Sequence, residues 1–237
     1  MPPDLTTVDV VALAWFALIW LAYTVGQDRV WGRPVGVNQR MSGLRVNWVR
    51  AMLEREVRLM DGQLVGHTMN SVTFFASTSM LVLAGLVGLL GNVDRVYSVV
   101  SHLTFTVKTS QELFELKVLV LISIFIYAFF QFTWALRQYN YTCALIGTAP
   151  APPVEARLRD SLAGTIATVM SHAVTSLNAG LRAYYFSLAA ASWIIHPWLF
   201  LVSSNAVVAV LAWRQLWSGS ARAIHRHLEI LDGIERS

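Results

Sequence analysis

Between Ser161 and Trp213 the chain carries a single charged side chain, Arg182. Lys, Arg, Asp and Glu are absent from Ser161 to Leu181 and again from Ala183 to Trp213. A soluble helix keeps a charged face towards water. A run this long without charge reads instead as membrane-embedded chain, for which about 20 apolar residues per helix suffice. Three further windows have the same character: "VDVVALAWFALIWLAYTVG", "SVTFFASTSMLVLAGLVGLLG" and "VLVLISIFIYAFFQFTW". Only 14% of the 237 residues are charged and 55% are hydrophobic, against roughly 25% charged in ordinary soluble domains.

The expected fold is all-α: one polytopic helical membrane domain with four spans, near residues 8–26, 71–91, 118–136 and 184–213. The first positive charge is Arg29, so no basic segment precedes the first apolar run, and a retained span is expected rather than a cleaved signal peptide. Outside the spans, three amphipathic helices are expected near residues 44–66, 154–182 and 220–235. In the first, Val46, Val49, Leu53, Val57, Met60 and Leu64 recur at helical steps. Arg45, Arg50, Glu54, Arg55, Arg58 and Asp61 take the other positions. Glu54 and Arg58 are spaced as an i,i+4 pair. In the tail, Ile224, Leu228, Leu231 and Ile234 form the stripe. Pro150, Pro152 and Pro153 end the helix that carries the third span, and Pro197 should kink the fourth.

Loop charge sets the orientation, because cytoplasmic loops collect Lys and Arg. Seven arginines between Arg29 and Asn70 place that segment inside and the N-terminus outside a cell membrane. Four spans then leave the tail outside, although it holds four arginines. A five-span alternative lets Ser161–Gly180 cross as well. It returns the tail to the cytoplasm, puts a hairpin turn on "GLRAYY", and sets His172 and His196 at similar depth in neighbouring helices.

Three segments, "MNSVTFFASTSMLVLAGLVGLLG", "ELKVLVLISIFIYAFFQFTWALRQYNYTCALIGTAP" and "NAGLRAYYFSLAAASWIIHPWLF", resemble the signature segments of the domain of unknown function 599 family. The resemblance covers nearly the whole chain apart from the termini. It implies a four-span helical membrane protein and brings no activity or catalytic residue to carry over.

Two polar stripes stand out as pathway-lining candidates. Ser171, Thr175, Asn178 and Arg182 follow at i, i+4, i+7 and i+11, and Asn70, Thr73 and Ser77 share a face of the second span. If they face one another in an oligomer, they would line a small polar path in which Arg182 favours anions. The plainer alternative makes Arg182 an interfacial anchor whose guanidinium reaches lipid phosphate. Ala84 and Gly88, four apart, suit close helix packing. The leading expectation is an oligomeric channel or transporter for a small polar or anionic solute. The alternative is a non-catalytic structural or accessory subunit of a larger membrane complex, and a third is a haem-bearing redox protein.

Expected partners are the lipid bilayer and either further copies of the chain or other membrane subunits. The charge of +4 is modest and its basic residues alternate with acids, so no nucleic acid is expected. One cysteine, Cys143, excludes CxxC chemistry within the chain. The histidines are dispersed, which leaves His172 and His196 only as weak haem or metal candidates. No cofactor is expected. There is no GxGxxG, GxxxxGK[ST] or GxSxG, and no enzymatic activity is expected.

Overall fold

The computed structural model describes residues 4–26, 37–102, 109–216 and 219–235. Eight helices follow in order: α1 Thr7–Val25, α2 Val37–Leu53, α3 Leu59–Gly91, α4 Val93–Ser101, α5 Gln111–Gly147, α6 Ala156–Ser192, α7 Pro197–Leu216 and α8 Gly219–Glu235. No strand occurs among the described residues. Four helices, α1, α3, α5 and α7, are long and apolar enough to cross a membrane. The part of "QDRVWGRPVGVNQRMSG" before Val37 lies outside the described residues.

The chain packs as two compact units. The first holds α1, α4, α3 from Phe75, α5 as far as Phe130, α6 from Ala179 and most of α7. Its core is aromatic. Phe16 meets Phe186 at 5.6 Å and Phe200 at 5.0 Å, Trp20 stacks on Phe186, and Trp193 stacks on Phe200. Beside it, Phe114, Val118 and Ile122 of α5 pack with leucines and valines of α3 and α4. Thr6 and Asp9 start α1 with a capping box, each side chain bonding the other residue's backbone N–H.

The second unit holds α2, α8 and the remaining parts of α3, α5 and α6. Val49, Met52 and Leu53 of α2 interlock with Ala163, Ile166 and Ala167 of α6, and Leu145 and Ile146 of α5 complete the cluster. The tail helix α8 forms where its periodicity places it and packs against α2.

The amphipathic helix expected over 44–66 is interrupted. It ends at Leu53, and α3 starts at Leu59 and continues unbroken into the second span. No proline or glycine lies between them. The turn is held by tertiary bonds instead: Arg58 donates to the carbonyls of Ala149 and Pro150, at 3.0 and 2.6 Å, and Arg55 reaches Asp61. The expected Glu54–Arg58 pair therefore does not form, because no helix spans it. Glu54 pairs with Arg159.

A second departure concerns α6. The amphipathic helix expected over 154–182 and the start of the span expected over 184–213 are one helix of 37 residues, about 55 Å long at 1.5 Å per residue. It passes through "GLRAYY" without a turn. The turn comes at Trp193–His196, closed by i,i−3 bonds from Trp193 and Ile194. Pro197 opens α7 rather than kinking a longer helix, at a position where its missing N–H costs no hydrogen bond. The last apolar helix is accordingly Pro197–Leu216.

The inward face of α6 is built on small residues: Ala163, Ala167, Ala173, Ala179, Ala183, Ala189 and Ala190 are all buried. Alanine allows close approach between helices. A helix face packed through alanines contributes little to hydropathy, so the hydropathy of α6 understates the burial of that face.

Candidate functional site

Arg45 lies on the wrong side of α2 for a surface charge. It shares the buried face with Val49, Met52 and Leu53, four, seven and eight residues on, and is itself only 8% exposed. The expectation that it belongs to the polar face is therefore corrected. The spacing was the available signal, since a cation at i−4 and i−8 from buried apolar positions is in register with them.

Its side chain borders a cavity of about 410 Å³ in the second unit. Leu44, Arg45 and Trp48 of α2, Val65 and Thr68 of α3, Tyr139 of α5, and Met170, Val174 and Asn178 of α6 all contribute to the wall. The periodicity of α6 explains its share, because residues 170, 174 and 178 are successive turns of one face. Tyr139 continues the buried α5 stripe of Phe132 and Ala135 and is 2% exposed.

The polar groups around this cavity are differently engaged. Arg45 Nε donates to Ser171 Oγ at 3.1 Å, and Ser42 Oγ lies 3.3 Å from the same oxygen. No carboxylate among the described residues pairs with Arg45, and its two terminal nitrogens have no protein acceptor there. Burial pushes its pKa down from the usual value, while the nearby Tyr139 phenol acts in the opposite sense. Arginine remains a cation under such shifts. Trp48 turns its N–H away to Asp61 at 2.7 Å. Thr68 commits its hydroxyl proton to the Leu64 carbonyl. Among the described residues of the lining, Arg45 is the one that is charged.

A buried guanidinium without a counter-charge is costly. An anion seated in the cavity would complete it, and an Arg fork matches a carboxylate or phosphate by two parallel bonds.

The candidates from the sequence separate on this frame. Ser171 holds Arg45, and Asn178 lines the cavity. Thr175 is exposed and bonds back to the Ser171 carbonyl. Arg182 is 7% exposed and buried in the first unit, within an unbroken helix rather than at a helix end. Asn70, Thr73 and Ser77 are exposed, with Thr73 bonded to its own helix at Met69. A Cβ added at Gly88 would meet no atom of the described residues within 4 Å beyond its own helix backbone. His172 is exposed on α6, whereas His196 lies in the turn after α6, where its Nδ1 accepts the Trp198 N–H at 3.1 Å. The pair is not set in neighbouring helices. No group of three His, Cys, Asp or Glu side chains among the described residues could hold a metal ion.

A family model described as "Protein of unknown function, DUF599" matches residues 11–220. No curated protein and no solved structure matches the chain.

Proposed function

The chain belongs to the DUF599 family, and for this member we propose a multi-pass membrane protein that binds a small anion at Arg45 as the recognition step of transport. One observation carries the reading: a guanidinium buried against a cavity, with its terminal nitrogens unclaimed by any described residue. Apolar walls with a few convergent polar groups are the usual character of a small-molecule site. The role is binding and passage, not catalysis.

The topology that goes with it has five crossings. Helix α8 packs against α2, so the two share a side. Crossings by α3, α5 and α7 alone would leave them on opposite sides, and a further crossing by α6 brings them together. The arginines that follow α1 and those of the tail then both face the cytoplasm, as the positive-inside rule asks. In this arrangement the Arg45 cavity opens towards the cytoplasmic side and the N-terminus lies outside.

The test is uptake and binding of small carboxylates and inorganic phosphate by the purified full chain in vesicles. Arg45→Gln should weaken saturable binding by roughly tenfold or more, as loss of charge-assisted hydrogen bonds implies. Thr175→Val, on the exposed face, should leave it unchanged. Binding and flux indifferent to Arg45→Gln in a folded protein would sink the reading.

A further inference from the structure

We propose that the anion taken at Arg45 carries an apolar body: the ligand is an amphipathic anion, a carboxylate or phosphate monoester on a hydrocarbon or aromatic frame. This rests on the reading of the cavity as an anion site and specifies what that site selects.

Two buried groups define where the charged end sits. Ser171 takes the Nε of Arg45 and Ser42 backs it, which fixes the plane of the guanidinium and leaves its outer edge to the cavity. Tyr139, 2% exposed, lines the same cavity, and no described residue is hydrogen-bonded to its hydroxyl, which is left to face the cavity. One anion accepting from both groups satisfies both.

Apart from Asn178, the remainder of the wall offers the ligand little else that is polar. The Trp48 N–H is spent on Asp61, and the Thr68 proton on Leu64. Leu44, Val65, Met170 and Val174 present hydrocarbon and a thioether. An inorganic anion would fill only the Arg45–Tyr139 corner and leave these walls against water. An attached apolar group would cover them, which is favourable in proportion to the area covered. Methionine side chains adapt to varied shapes, so the body can be a chain or a ring.

The same chemistry has two sources, an acyl-chain anion drawn from the bilayer or a compact amphipathic solute from the water. The experiment uses the full chain in nanodiscs of zwitterionic lipid, titrated calorimetrically with acetate, inorganic phosphate, phenylacetate and decanoate. At least one of the two amphipathic probes should bind roughly tenfold or more tighter than acetate. Preference for decanoate identifies the bilayer source, and preference for phenylacetate the aqueous one. Arg45→Gln should weaken every probe. Tyr139→Phe, which keeps the ring, should weaken all of them by a similar factor. Val174→Trp, which fills the apolar part, should weaken the amphipathic probes more than acetate. Equal, Arg45-dependent binding of acetate or phosphate and the amphipathic probes overturns this inference and leaves the anion site standing. If no probe binds in an Arg45-dependent way to folded protein, the anion site falls as well.

Discussion

The indole Nε1 of Trp193 donates a 2.7 Å hydrogen bond to Oδ1 of Asp9, joining two buried residues 184 positions apart. Asp9 Oδ2 accepts from the backbone and hydroxyl of Thr6, so the carboxylate is satisfied on both oxygens. Lys117, also buried, lies 5.6 Å above the Trp193 ring and feels the Asp9 charge. The start of α1 is thereby bound to the turn between α6 and α7. Trp193→Phe removes the donor and should cost about 1.5–3 kcal/mol, the range for hydrogen bonds to charged groups. Trp198→Phe, at an exposed position, should stay within about 0.5 kcal/mol. Reversible unfolding in mild detergent compares them.

Ser171 acts on the cavity through Arg45. Ser171→Ala frees the guanidinium to rotate, at a cost in stability of about 1.5–3 kcal/mol, the range for a hydrogen bond involving a charged group. Affinity for small carboxylates should fall by severalfold while unfolding shows a protein still cooperatively folded. Ser171→Thr, which keeps the hydroxyl, should restore most of that affinity. Calorimetric titration of the three proteins checks the order.

Arg58 holds the connection between α5 and α6 by its bonds to the carbonyls of Ala149 and Pro150. A cation at the end of α5 also suits the negative end of the helix dipole. Arg58→Ala should destabilise by roughly 1.5–3 kcal/mol and expose the Thr148–Glu155 segment to proteinase K. Arg58→Lys should recover little, because one ammonium cannot reproduce the two-pronged geometry.

The proposed five-crossing topology puts the tail on the same side of the membrane as α2, with which α8 is in contact. In a Cys143→Ser background, Glu56→Cys and Arg226→Cys should react with an impermeant maleimide from the same side, and Arg95→Cys from the other. All three positions are exposed. Labelling of Arg226→Cys together with Arg95→Cys would exclude a crossing by α6.

Much of the architecture is legible in local pattern. The first three apolar spans, the tail helix over 219–235 and the end of α5 before Pro150 stand within a few residues of their expected places or inside longer helices, whereas the expected fourth span is divided between α6 and α7. Lipid-facing surface must be apolar wherever it occurs, so these features can be read one window at a time. Of the candidate residues, Asn178 lines the cavity and Ser171 holds Arg45, but Arg45 itself looked like one more charge on the polar face of an amphipathic helix.

What only the tertiary structure decided depends on neighbours far along the chain. The break between α2 and α3 is set by Arg58 reaching carbonyls some 90 residues away. The continuity of α6 rests on alanines packed against other helices, a kind of burial that hydropathy does not register. Arg45 borders a cavity because residues from α3, α5 and α6 line it together with α2, and none of those described brings a counter-charge. Sequence determines which surfaces can face lipid, because that is a property of each segment alone. Which polar group is buried, and whether it is satisfied there, is a property of the assembled fold.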